Sequence, residues 1–181
     1  MVQAAIRSLV TIALAACPAA GWTAAPDPQD ADVMYLPTPY PVVDAMLRLA
    51  GVHAGDRLFD LGAGDGRIVI AAAREYGVHA VGIELDPHKA AEARANVRRA
   101  GLDHLVEIRQ GDVFTADLSR ATVVTVFLFP EINERLEPKL REELAPGTRI
   151  VSHRFGLGRW PPQRRAEALG HPLLLWIVPA R

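Results

Sequence analysis

The sequence has a single cysteine, Cys17, among 181 residues. That excludes an intramolecular disulfide and a metal site built on cysteines. Its six histidines (His53, His79, His88, His104, His153 and His171) form no pair at ligand spacing, so no metal centre is expected. Neither sign of charge dominates. Twenty Lys and Arg stand against 21 Asp and Glu, a formal net charge of −1, and a dedicated nucleic-acid binder needs a basic excess. The chain has no internal repeat and no low-complexity tract beyond its N-terminus. What it does have is apolar substance: 50% hydrophobic and 23% charged residues, enough to build the core of one domain.

Residues 1–25 read as a targeting segment. Arg7 precedes the apolar run Leu9–Ala16, and small residues follow, the pattern of a bacterial secretory signal. The run falls short of the about 20 apolar residues that cross a bilayer comfortably. Leu14-Ala15-Ala16-Cys17 also resembles a lipobox, in which Cys17 would be lipidated. Arg7 before the run and Asp27, Asp30 and Asp32 after it would put the domain outside the cytoplasm. The expectation is an exported or membrane-associated protein, a lipoprotein at Cys17 being one form of it. The domain is cytoplasmic if the segment is not functional. Residues 26–32 are an acidic, proline-bearing linker, and 33–181 are the domain.

The centre of the sequence is Leu58-Phe59-Asp60-Leu61-Gly62-Ala63-Gly64-Asp65-Gly66-Arg67. A short apolar run ends in an acid, glycines fall at alternate positions, and Ile68–Ala73 continues with helical character. This reads as strand, tight turn and helix. Glycine lets backbone approach a ligand closely, and the helix N-terminus behind it offers free N–H groups. A dinucleotide fingerprint is Gly-x-Gly-x-x-Gly. Here Gly66 comes one position early and Arg67 stands in the place of the third glycine. Asp60 would repel a pyrophosphate and suits a cationic amino group. The pattern Asp60-x-Gly62-x-Gly64-x-Gly66 resembles the first motif of class I S-adenosyl-L-methionine-dependent methyltransferases.

Around that loop, strands and helices alternate. Tyr35-Leu36-Pro37-Thr38-Pro39-Tyr40-Pro41 cannot be regular helix. Thr38 is placed to cap the helix that follows, and the segment is either a helix entry or a lid over the ligand. His79–Ile83 is a buried strand ending at Glu84, where an acid accepts hydrogen bonds from ribose hydroxyls. Asp86 caps a helix over Pro87–Ala100. Leu105–Ile108 leads to Asp112, and Ala121–Pro130 is the most β-branched run. Glu131–Leu144 is a charged helix with a kink expected at Pro138. Thr148–Ser152, a weak strand near Arg165–Leu169, and Leu173–Val178 complete the count. The predicted fold is α/β: a doubly wound, mostly parallel Rossmann-like sheet with a terminal antiparallel strand. Ligands sit where the strand order of such sheets reverses. That puts the pocket candidates Phe129, Pro130 and Glu131 beside the glycine loop.

From Val33 onward the chain resembles one group within the methyltransferases. The resemblance rests on Tyr35-x-Pro37-Thr38-Pro39, on Asp60 through Ile70, and on Arg154-Phe155. The group is the seven-strand lysine methyltransferases of ATP synthase subunit c and the adenine nucleotide translocase, with their bacterial relatives. The resemblance implies that Tyr35 and Thr38 line the cofactor site from a lid. It also implies that Asp60, Gly62, Gly64, Gly66, Glu84 and Asp112 hold S-adenosyl-L-methionine, with Asp112 reading the adenine amino group. It implies methyl transfer to a protein lysine, a membrane protein being one possible substrate, no nucleic-acid partner, and a monomer. Leu128-Phe129-Pro130-Glu131 replaces the Asn/Asp-Pro-Pro-Tyr motif of enzymes that methylate DNA or glutamine. Glu131 and His153 are candidates for delivering a neutral amine, each with a structural role as its alternative. Two other readings stay open: an exported, non-enzymatic binding protein on the same fold, and a nicotinamide-dependent oxidoreductase.

Overall fold

The computed structural model describes residues 36–180. The expectations for the targeting segment, the linker, Cys17 and Tyr35 lie outside the described residues. The elements are α1 (Tyr40–Ala50), β1 (Arg57–Leu61), α2 (Arg67–Tyr76), β2 (His79–Glu84), α3 (Pro87–Ala100) and β3 (Val106–Gln110). They continue with β4 (Val123–Val126), α4 (Pro130–Glu143), β5 (Arg149–His153), β6 (Arg164–Ala168) and β7 (His171–Ile177). The strands form one sheet in the order β3-β2-β1-β4-β5-β7-β6. β7 alone runs opposite to the other strands, antiparallel to both β5 and β6. The chain leaves β1 outward through β2 and β3, then returns to the other side of β1 as β4. The order therefore reverses between β1 and β4, and a crevice opens at their carboxyl ends.

Two apolar layers cover the sheet. One packs α1, α2 and α3 through Val42, Met46, Val69, Ala72 and Ala93 onto Leu58, Val123 and Val151. The other sets Leu136 and Leu140 of α4, with Leu157 and Trp160, against Phe59, Val124, Val126, Ile150 and Trp176. At the amino ends of the strands, Arg149 ties the layers together. Its guanidinium donates to the carbonyls of Ala50 and Gly51 at 3.1 and 2.8 Å and pairs with buried Asp56. The open carbonyls at the end of α1 thereby gain a cationic partner.

Helix ends follow their residue chemistry. The Asp86 carboxylate caps α3 by accepting from the N–H groups of His88 and Lys89. Gly77 and Gly101 close α2 and α3 in the left-handed conformation. Three expectations are corrected. Thr38 does not cap α1: the N-cap is Pro39, and no side chain caps it, because the Thr38 hydroxyl bonds to His153 instead. The fourth strand is shorter than Ala121–Pro130. Its pairing with β1 ends at Leu61–Val126, where the glycine loop turns away and leaves the next residues without a partner. Pro138 does not break its helix, which runs on to Glu143. Pro138 and Glu134 both lie on the exposed face of the helix, away from Leu136 and Leu140, which stay buried on the opposite face.

Candidate active site

The glycine loop bends sharply after β1. Gly62, Gly64 and Gly66 all have positive φ, at 80°, 54° and 81°. At Gly62 the need is also spatial: an added Cβ would lie 2.7 Å from Leu128 Cδ2. The N–H groups of Gly62 and Ala63 both donate to the Ile83 carbonyl at 2.9 Å, which fastens the loop to the end of β2. A glycine inside β2 makes that seat possible. A Cβ on Gly82 would stand 2.7 Å from Ala63 Cβ and 2.9 Å from Ile108 Cδ1. Gly82 was not singled out from the sequence, although a glycine in an apolar strand signals a close approach.

Acids gather at this edge. Glu84 accepts from the Gly64 N–H at 2.7 Å and from the Asp86 N–H at 2.9 Å, one bond to each oxygen. Each oxygen keeps acceptor capacity for a ligand hydroxyl. Asp60 is inside β1 rather than beyond its end, 2% exposed, and accepts from the Thr125 hydroxyl at 2.7 Å. Burial pushes its carboxyl up to about 7, with the Thr125 bond opposing and Glu84 and Asp65 adding repulsion. Asp112 accepts from the Phe114 N–H at 2.9 Å, which shapes the turn after β3. Across from it, Arg135 of α4 stands 4.3 Å over the Phe114 ring.

The segment before α1 crosses this edge as a strap. The Thr38 carbonyl accepts from Arg67 Nη1 at 2.9 Å, on the glycine-loop side. Arg67 is itself held by Asp65, with Nε to Oδ1 at 2.9 Å. On the other side the Thr38 hydroxyl donates to His153 Nδ1 at 3.0 Å, at the end of β5. β4 lies between β1 and β5, so the strap bridges the β1–β4 crevice. His153 is 1% exposed. His171 Nδ1 lies 2.8 Å from His153 Nε2 and 3.3 Å from Arg154 Nη2. Arginine only donates, so His171 Nδ1 is an acceptor, and His153 carries its proton on Nε2 and accepts at Nδ1. Burial, with the neighbouring His171 and Arg154, lowers the His153 pKa to about 4. With both nitrogens engaged, His153 has no lone pair to offer a substrate, which removes it as the base.

The structure brings Thr38, Asp60, Gly62, Gly64, Gly66, Glu84 and Asp112 to the carboxyl edge of the sheet. Phe129 N-caps α4 and is 44% exposed. Pro130 and Glu131 are exposed in its first turn. Of that run, Leu128 is the residue that touches the loop. Phe127, half-buried just past β4, was not singled out from the sequence, and Phe155, half-buried after β5, entered there only as part of the Arg154-Phe155 pair that carries the resemblance. The donor set fits S-adenosyl-L-methionine better than a dinucleotide. Asp60 with Glu84 and Asp65 close enough to repel its charge makes a glycine loop backed by carboxylates, which favours a ligand bearing an ammonium and a sulfonium and disfavours a pyrophosphate.

Comparison with known proteins agrees. A family model described as the ANTKMT methyltransferase domain matches residues 60–164. The protein-lysine N-methyltransferase of Saccharolobus islandicus is 43% identical over 151 residues, 81% of this chain and 94% of that protein. The mouse adenine nucleotide translocase lysine N-methyltransferase is 42% identical over 107 residues, 59% of this chain and 46% of that protein. The chain thus spans under half of the mouse relative. Among solved structures, an RNA methyltransferase from Salinibacter ruber in complex with S-adenosyl-L-homocysteine superposes with a TM-score of 0.79 at 53% identity. It covers 81% of this chain and 95% of that one.

Proposed function

The chain belongs to the ANTKMT methyltransferase domain family of S-adenosylmethionine-dependent enzymes, and from that premise we propose that its acceptor is the side-chain amine of a protein lysine. When bound, S-adenosylmethionine supplies a methyl group activated by its sulfonium. In this reading Glu84 takes the ribose hydroxyls, Asp112 the adenine amino group, and the glycine loop the methionine end. Asp60 lies behind the loop as the countercharge. The strap through Thr38 limits water over the crevice and holds donor and acceptor in line. The reacting amine releases its proton to solvent, so no side-chain base is required.

The relatives carry two substrate names, lysine and RNA. The observation that favours lysine is the charge at the mouth. The acids Asp65, Glu84, Asp86, Asp112 and Glu131 lie at this edge and outnumber its cations: Arg67, paired with Asp65, Arg135, over the Phe114 ring, and Arg154, turned to His171. A phosphate backbone needs the opposite sign, whereas a lysine-bearing segment is drawn in. The test is transfer of radiolabelled methyl by the full chain onto poly-L-lysine and onto total RNA. Label in poly-L-lysine, with N-methyl-lysine found on hydrolysis, is expected. Label in RNA with none in poly-L-lysine would overturn the reading.

We also propose that residues 1–25 associate the domain with a membrane, which would bring it near membrane-protein substrates. The apolar run Leu9–Ala16 behind Arg7 supports this. No helix among the described residues is long and apolar enough to cross a membrane.

A further inference from the structure

Side chains alternate along a strand, and parallel neighbours in register share a face. In this sheet Asp60, Thr125 and Val151 form one row across β1, β4 and β5. Two residues past Thr125 and Val151 come Phe127 and His153, whose rings meet at the carboxyl edge. Phe127 directly follows Val126, the last residue of β4 paired with β1, so it stands beside the β1–β4 crevice. Phe127 is not alone. Its ring centroid is 4.0 Å from that of His153, tilted by 41°. The Phe155 ring stacks beside it at 6.2 Å and 19°. Phe127 and Phe155 are half-buried, so neither is fully covered by the protein.

The chemistry of this wall is selective. Ring faces attract an ammonium and the methylenes next to it, and offer nothing comparable to a neutral alcohol or an anion. Its backing histidine is neutral, with both nitrogens bonded to Thr38 and His171, so it puts no repelling charge behind the rings. The one cation of the cluster, exposed Arg154, turns its guanidinium to His171. We propose that Phe127 and Phe155, backed by the His153 ring, form the wall that receives the alkyl-ammonium chain of the acceptor and selects it over neutral acceptors. The wall rests on the lysine reading and adds the residues that would enforce it.

The test uses the full chain saturated with S-adenosyl-L-homocysteine. n-Butylammonium and its neutral isostere 1-butanol are titrated in and followed by the NMR shifts of their methylene protons. The expected result is ring-current shifts and tighter binding of the cation. Phe127→Leu and Phe155→Leu should each weaken the cation about 5–30-fold and leave 1-butanol unchanged. Phe127→Tyr, which keeps the ring, should stay within about threefold of wild type, and retained S-adenosyl-L-homocysteine affinity reports that each variant is folded. Equal binding of the two probes, or leucine variants that bind n-butylammonium like wild type, would overturn the wall. Transfer to poly-L-lysine by the same preparations separates the two claims. Undiminished transfer in both leucine variants sinks the wall and leaves the lysine reading standing. Selective ammonium binding without any transfer to lysine sinks the reading alone.

Discussion

At the scale of single residues, two buried ionisable groups in the site work against each other. Asp60 ionises at about 7 in the folded chain against 3.8 as a free side chain, chiefly because burial disfavours its charge. Its contribution to stability is full below pH 3.8 and is lost as pH rises through 7. The loss is about 4 kcal/mol at about 1.4 kcal/mol per pKa unit. His153 runs the other way. Its pKa falls from 6.5 to about 4, so its contribution is full above 6.5 and is lost as pH falls through 4. Between pH 4 and 6.5 the two slopes oppose, and each variant unmasks the other group. Asp60→Asn should gain stability over wild type steadily from pH 4 to 7. His153→Gln should gain over wild type as pH falls from 6.5 to 4. Urea unfolding across this range checks both, and parallel curves for the variants and wild type would refute the assignment.

At the scale of elements, the strap before α1 is held by one residue used twice. The Thr38 carbonyl bonds to Arg67 and its hydroxyl to His153. Thr38→Val keeps the shape and removes one donor, leaving His153 Nδ1 buried without a partner. The expected cost is about 1–3 kcal/mol. Because the strap bridges the β1–β4 crevice, the variant should also release S-adenosyl-L-homocysteine several-fold faster. Stopped-flow release of the bound cofactor product, read beside urea unfolding, separates these effects. Lost stability with unchanged release would mean that the segment is a helix entry and no lid. The sequence offered both readings of Tyr35–Pro41, and they could not be separated there. The partner that decides is 115 residues away along the chain.

At the scale of the whole molecule, the site belongs to the switch point of the sheet and to no single motif. A ligand that binds only the folded state stabilises it by about 2.7 kcal/mol at a hundredfold excess over its Kd. Wild type with S-adenosyl-L-homocysteine should therefore melt about 5–10 °C higher. Gly62→Ala, which drives a Cβ to 2.7 Å from Leu128 at φ +80°, should abolish the shift. A full shift in that variant would place the ligand elsewhere. Much of this was legible in the sequence, because local chemistry decided it. The alternate glycines dictate a turn that only glycine adopts, Asp86-Pro87 starts a helix, and Gly77 and Gly101 end two. Apolar runs between them give buried parallel strands. Asp60 and Glu84 could be assigned to one ligand because each comes at the carboxyl end of an apolar run, at the same edge of such a sheet. The rest depended on strand register and on contacts distant in sequence. Gly82 matters because Ala63 folds down onto it, the Asp60 carboxylate is bonded by Thr125 from β4, and Phe127 meets His153 because β4 and β5 end side by side. Sequence by itself determined the elements and the cofactor chemistry, through periodicity, caps and turns. Only the tertiary structure decided which rings and acids face the crevice, because register between strands is set by packing and not by neighbours along the chain.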